Sequence, residues 1–188
     1  MSLLSKKIER AVSNYSLELQ TRIEELISTR QLTKGHFLLE EGDICRNCFI
    51  MESGIARKYL VSNSKEITTE LYFSDDIMVS LASFSQQHPS KEWIQVLTDS
   101  IVHQLNFREF QQLKNEYPEL IELDLIITEH YSIWMEQKLI DFRTESATLR
   151  YSKLIKNHPH FIQHIPLTII ASYLGIALET LSRIRSKF

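Results

Sequence analysis

Apolar positions along this chain repeat with two different periods, and the change of period divides it. Leu19, Ile23, Leu26 and Ile27 are spaced by three and four, so residues 3–30 predict an opening helical segment. From Gly35 to Phe107 the period falls to two. "GIARKYLV" puts Ile55, Arg57, Tyr59 and Val61 on one face, and "EITTELYF" puts Ile67, Thr69, Leu71 and Phe73 on the inward side. "IVHQLNF" does the same with Ile101, His103, Leu105 and Phe107. Sharing that face, His103 reads as a hydrogen-bonded core histidine rather than a ligand. Gly35, Gly42-Asp43, Ser53-Gly54 and Ser74-Asp75-Asp76 punctuate the runs as turns. The pattern predicts an antiparallel sheet folded into a barrel or sandwich.

After Pro118 the pattern turns helical to about Ser146. Ile121, Leu125, Thr128, Ser132, Met135, Leu139 and Phe142 step by four and three, while Ile126, Ile133 and Ile140 recur every seven. A helix with one apolar stripe packs on one neighbour; this one has enough for two. One side is expected on its own sheet and the other against a second copy, giving a twofold dimer, with small Thr128 and Ser132 permitting close approach. A wholly intramolecular core helix is the alternative. Residues 147–157 predict another short helix, followed by the connector "NHPHFIQHIP".

The sequence ends in "LTIIASYLGIALETLSRIRSKF". Pro166 suits a helix start, and Ile170 and Leu174 give that helix an inner face, with small Ala171 where a second helix can cross. Gly175 can adopt the left-handed conformation that ends a helix and turns the chain, and Ile176 follows as an anchor. In the next helix Leu181 and Ile184 face inward, leaving Glu179, Thr180, Ser182, Arg183 and Lys187 outside and Arg185 at the edge. This is a helix-turn-helix pattern, with a polar and guanidinium-bearing second helix able to lie in a major groove.

Charge reinforces that reading. Residues 1–145 hold 15 Lys/Arg against 23 Asp/Glu, whereas residues 146–188 hold 6 Lys/Arg and one acid, Glu179. An acidic body with a basic end suits contact with phosphate backbone, and a solvated charged face is the plain alternative. The two cysteines, Cys45 and Cys48, cannot complete a four-thiolate cluster or a zinc site by themselves; they read as an incidental pair, with redox sensitivity as the alternative. No metal site is expected. No apolar run approaches the roughly 18 residues of a membrane span. With a charged start and no signal-type apolar stretch, the chain is expected in the cytoplasm, away from membranes. No clustered carboxylates, Ser/His/Asp order or phosphate loop points to catalysis, so an enzyme is not expected and no catalytic residue is assigned.

The whole arrangement resembles the Crp/Fnr (catabolite-activator-like) family of bacterial transcription regulators. The likeness is carried by "HFLLEEGD…CFIMESGIARKY" for the first β-roll strands, by "LYFSDDIM" before the ligand cassette, and by "ESATLRYSKLIKNHPHFIQHIPLTIIASYLGIALETLSRIR" for the linker and reader. It implies an α+β fold with three parts. Residues 1–117 would be a cyclic-nucleotide-binding-like β-roll (a jelly roll) with flanking helices, residues 118–145 a long dimerisation helix, and residues 146–188 the helix-turn-helix. The family's Glu-Thr-x-x-Arg recognition run falls on Glu179, Thr180 and Arg183. Ala177 and Leu178 stand where the family usually has Ser or Thr followed by Pro; an absent N-cap side chain costs about 1 kcal/mol. The β-hairpin wing of many members does not follow in this sequence, so a short, wingless form is expected.

In that family a Gly-Glu-Leu segment and a later Pro-Arg-Ser/Thr-Ala segment hold the cyclic nucleotide. Here Val79, Ser80 and Leu81, with Ala82 beside them, stand at the first segment, and Ser90 stands at the arginine, with Lys91 next to it. A buried phosphate without its arginine would lose charge-assisted bonds of about 1.5–3 kcal/mol each. Tight cyclic AMP binding is therefore not expected, and the sequence leaves any other effector open. The resulting reading is a homodimeric regulator on palindromic double-stranded DNA, with RNA polymerase as a further partner. In it Glu179, Thr180, Ser182 and Arg183 face base edges or phosphates, and Arg185 and Lys187 contact backbone. The rival reading is a small-molecule sensor module that regulates a protein partner without DNA.

Overall fold

Two four-stranded antiparallel sheets form the first part of the chain in the computed structural model, which describes residues 3–160 and 162–187. Phe161 of the connector lies outside them. Helices α1 (Leu3–Val12) and α2 (Leu17–Leu26) precede strands β1 (Ile27–Leu32), β2 (Phe37–Leu39), β3 (Asn47–Ser53), β4 (Ala56–Ser62), β5 (Lys65–Tyr72) and β6 (Ile77–Met78). Helix α3 (Leu81–Gln86) is followed by β7 (Trp93–Val96) and β8 (Ser100–Asn106). The sheet orders are β1-β8-β3-β6 and β2-β7-β4-β5. Helices α4 (Phe107–Glu116), α5 (Leu120–Thr144) and α6 (Ala147–Asn157) lead to the closing pair, α7 (Leu167–Leu174) and α8 (Leu178–Arg185). The fold is the jelly roll with flanking helices that the sequence predicts. Among the described residues no single helix is long and apolar enough to cross a membrane.

The opening segment differs from the expected single helix over 3–30. It breaks at Ser13–Ser16, where Ser16 accepts from the Leu19 N–H and caps α2. Ile27, counted with the helical seam, instead starts a strand and pairs with Leu105. "ISTRQL" holds two β-branched residues, Ile27 and Thr29, that suit a pleated surface, and its partner strand lies far along the chain.

Three packed clusters hold the molecule. Inside the barrel Leu32, Phe49, Met51, Ala56, Tyr72, Met78, Ile94, Val96 and Val102 are buried together. Leu19, Phe110, Leu113, Leu120 and Leu123 join the opening helices to α4 and the start of α5. In the third cluster Ile55, Leu71 and Phe73 pack against Leu154, Ile170, Leu174, Leu181 and Ile184 of the closing helices. Leu71 and Phe73, expected on the inward face, therefore point away from the barrel, and Tyr72 points into it. Ile67, expected beside them, is exposed. The register of β5 against β4 shifts between Lys58 and Tyr59, so Thr69 is an extra residue and the two-residue period slips there.

His103 is also not a core residue. Its ring bonds to Thr29 Oγ1 at 2.9 Å and lies 2.9 Å from Glu52 Oε2, on a part-exposed outer face. Val102, the opposite parity, fills the barrel. Alternation finds the two faces of a strand but does not say which one is covered.

The turn after β5 is tightly bonded. The Phe73 N–H donates to Asp76 Oδ2 at 2.7 Å, the Asp75 N–H donates to Met51 O, and the Met51 N–H donates to Asp76 O. Burial pushes the Asp76 carboxyl up to about 6; the Phe73 N–H opposes that shift, and nearby Glu70 and Asp75 add to it. A carboxyl raised from 3.8 favours the fold most when protonated, so its contribution is full below about pH 4 and is lost as pH rises through 6. Asp76→Asn keeps the acceptor and removes the charge. It should raise neutral-pH stability by on the order of 1–3 kcal/mol and flatten the fall in Tm between pH 4 and 7, read by thermal melts across that range.

Gly175 closes α7 at φ +67°. A Cβ there would stand 2.9 Å from Phe142 Cζ. Gly175→Ala combines left-handed strain with that clash and should destabilise the protein by about 1–3 kcal/mol, measured by urea unfolding.

Candidate nucleic-acid interface and ligand cassette

The closing pair is built as its residues require. Pro166 stands just before α7, and the Ile176 N–H donates to Ala171 O at 3.0 Å across the glycine turn, the bond of a Schellman cap. Ile170, Ala171, Leu174, Leu181 and Ile184 are buried between the helices, which meet at 100°. That angle falls in the helix-turn-helix range of about 90–120°. Ala177 starts α8 with no side-chain cap, as its sequence implies.

Glu179, Ser182, Arg183, Arg185 and Lys187 are exposed, and Thr180 is half-buried. Arg183 Nη2 donates to Thr180 Oγ1 at 3.4 Å, one turn back, and the guanidinium touches no buried group. Five of the six are thus exposed along α8 and its end, and Thr180 is partly covered.

The basic tail is less free than its composition suggests. Arg150 donates to Glu145 O at 2.6 Å and to Leu174 O at 2.7 Å, tying the end of α5 to the end of α7. Lys153 pairs with Glu145 and lies 3.4 Å from Asp141. Of the six bases after residue 145, Lys156, Arg183, Arg185 and Lys187 remain for a polyanion.

The first closing helix is fastened to the barrel at the outer edge of β5. The Thr68 N–H donates to Ser172 Oγ at 2.9 Å, and that hydroxyl donates to Glu66 O at 3.2 Å. Lys138 of α5 reaches the same strand, donating to Thr69 O at 2.8 Å and pairing with Glu70. Burial pushes the Lys138 ammonium down and the Glu70 carboxyl up, and each partner opposes the other's shift.

At the cassette, the structure separates the six residues that the alignment brings together. Ser80 and Ser90 are buried, and Ser90 Oγ donates to Ser80 Oγ at 3.1 Å. Ser80 donates to Glu92 Oε2 at 2.5 Å, and Lys58 Nζ stands 3.3 Å from Glu92 Oε1. The Glu92 N–H in turn donates to Ser90 Oγ at 2.9 Å. A carboxylate of the chain itself therefore occupies the donors here, and the cation that enters is Lys58, not Lys91. Lys91, Ala82 and Leu81 are exposed, and Val79 is buried. Sequence reasoning passes over Lys58 and Glu92. Their one signal is a lysine amid the buried run of β4.

Cys45 donates to Asn47 O at 3.3 Å and is not bonded to Cys48. Burial pushes the Cys48 thiol up to about 12 and raises Cys45 as well, which suppresses the reactive thiolate. Among the described residues no group of three or more His, Cys, Asp or Glu is placed to hold a metal.

Residues 29–117 match the cyclic nucleotide-binding domain family. The chain is 23% identical over 186 residues to the transcriptional activator protein Anr of Pseudomonas protegens, an alignment covering 92% of this chain and 75% of that relative. It is 23% identical over 180 residues to the fumarate and nitrate reduction regulatory protein of Vibrio cholerae, covering 89% of this chain and 71% of the relative. The fold is that of FixK2 from Bradyrhizobium japonicum, with a TM-score of 0.71 at 14% identity over 86% of this chain and 83% of that one. A β-roll matching the cyclic nucleotide-binding domain and a closing helix pair thus stand in a chain that is similar, over most of its length, to named transcriptional regulators of the Crp/Fnr type.

Proposed function

We propose that the protein is a homodimer that reads a twofold-symmetric duplex DNA site with α8, through a sensor domain whose cyclic-nucleotide cassette is filled from within. The observation that carries the reading is the free face of α8. Glu179, Ser182 and Arg183 stand in the open on a helix held at 100° to its partner, as major-groove reading requires. Arg183 has the fork geometry for the acceptor pair of a guanine; Arg185 and Lys187, beyond it, suit phosphate. Thr180 and Ser182 offer short hydroxyls to base edges or phosphates.

Dimerisation is supported by the exposed apolar row of α5. Ile121, Leu125, Ile133, Leu139 and Phe142 are all more than half exposed, and the small Thr128 and Ser132 lie between them. An aliphatic row of that length is an exposed patch that a soluble chain covers, and a second copy of the same helix covers it symmetrically. Two readers then face successive major grooves about one duplex turn apart. The closed cassette is supported by Glu92, whose carboxylate holds the Ser80 hydroxyl and the Lys58 ammonium while its backbone carbonyl accepts from Ser90 Oγ. A cyclic phosphate would have to displace it and would bring the same charge.

Arg183→Ala should weaken binding to a site selected from a random DNA pool by about 1–3 kcal/mol and relax preference at one base position in each half-site, measured by fluorescence anisotropy. Unchanged affinity and preference would remove α8 from the groove, and failure of the wild type to select any duplex would favour a partner-protein sensor instead. Leu139→Glu places a charge in the exposed row without touching the monomer's core. It should yield monomers by analytical ultracentrifugation and reduce operator affinity at least tenfold, since each half-site then binds alone. A dimer that survives the change places the interface elsewhere.

A further inference from the structure

We propose that Glu92 is a built-in effector: its carboxylate takes an anion's place in the cassette and, through a line of alternating charges, holds α5 against the β-roll. The inference rests on the DNA-reading proposal above and adds what sets the reader.

Lys58 makes an anion necessary. It is 5% exposed in the middle of β4, where an unpaired ammonium is costly. Val79 O at 3.4 Å gives it one acceptor, and the Glu92 carboxylate, 3.3 Å away, gives it the opposite charge. The other oxygen of that carboxylate accepts from Ser80 Oγ at 2.5 Å. Ser90 fixes the approach, because the Glu92 N–H donates to its hydroxyl at 2.9 Å. A buried lysine beside a serine hydroxyl suits a compact oxyanion, and here the chain supplies the oxyanion itself. Tethered one residue before β7, Glu92 competes as an intramolecular ligand, and a free anion of equal charge gains nothing by displacing it.

The cassette is also joined to α5 by charge. Lys58 and Glu70 are direct partners in the register of β4 and β5, so their side chains leave the sheet on the same face, and both are 5% exposed. Glu70 then pairs with Lys138 of α5, whose ammonium also donates to Thr69 O at 2.8 Å. Glu92, Lys58, Glu70 and Lys138 thus alternate in sign from the start of β7 to the long helix. Without the first charge, Lys58 has Glu70 as its one carboxylate in the line, and Glu70 is shared between two lysines. Its hold on Lys138 weakens, and Lys138 is a link from α5 to the strand on which α7 also rests through Ser172. With Glu92 in the chain the line is complete at all times, so the reader is set without an added effector.

The test uses the full chain in a Trp93→Phe background, which leaves Trp134 as the single tryptophan. Trp134 lies on α5 with the Lys138 ammonium 5.0 Å from its ring, so its emission reports the far end of the line. Glu92→Ala vacates the seat, and sodium acetate, compared with sodium chloride at equal ionic strength, probes it. Acetate should raise the Tm of Glu92→Ala by about 2–4 °C more than that of the parent. Trp134 emission should shift in Glu92→Ala and return to the parent's position with acetate. Lys58→Met combined with Glu92→Ala strands no ion and should lose the acetate response. On a duplex selected with the wild type, Glu92→Ala should bind about fivefold or more weakly and recover with acetate. A folded Glu92→Ala whose melt and emission ignore acetate, or an equal response in the paired variant, would overturn the proposal. Operator affinity unchanged by Glu92→Ala would overturn the bearing of Glu92 on the reader. A wild type that selects no duplex would count against the DNA reading alone, because the melts and the emission need no DNA.

Discussion

The outer edge of β5 is the constraint on which the arrangement of this molecule rests. As the last strand of its sheet, β5 presents unpaired backbone groups, and an open strand edge is a liability for aggregation. Here one serine answers it: Ser172 of α7 accepts from the Thr68 N–H and donates to Glu66 O, serving the strand much as a neighbouring strand would. Covering the edge and placing the closing helix pair are therefore the same event. Lys138 adds a third element by bonding to the same strand from α5.

That junction explains why both faces of β5 are buried. Tyr72 turns into the barrel, and Leu71 and Phe73 turn to the closing helices, where they meet Leu154, Ile170 and Leu174. The β-roll and the closing helices thus share a hydrophobic cluster, so β5 is in direct contact with the helix pair that includes α8. Arg150 bonds the end of α5 to the end of α7, so the long helix and the reader are also joined without passing through the sheet. Buried polar links of this type are sensitive to any change in a member, because an orphaned partner is costly in a low-dielectric interior.

The cassette and the junction cavity show two outcomes for polar groups beneath a sheet. At the cassette Ser80, Ser90, Glu92 and Lys58 bond to one another. At the junction Lys138 is held by Glu70 and the Thr69 carbonyl, and the Asp76 carboxylate accepts from the Phe73 N–H. The difference is geometric. Glu92 lies two residues from Ser90 and folds back onto it, whereas the long stem of Lys138 carries its ammonium from α5 to β5.

Much of this was written locally. The strand runs, the turns at Gly42, Gly54 and Asp75, the long helix, and above all the Ile170–Gly175–Leu181–Ile184 framework depend on period and on backbone preference, which neighbouring residues supply. The loss of the cassette's arginine was equally legible, as a serine at one position. What only the tertiary structure decided was which face of a strand is covered, as with His103 and Leu71, and where the opening helix yields to β1. It also decided that Glu92 fills the cassette, that Arg150 and Lys153 are spent internally, and that Glu70, Asp76, Tyr72 and Lys138 converge. These depend on contacts between residues tens of positions apart, and a repeat along the chain carries no information about which distant segment will lie against it.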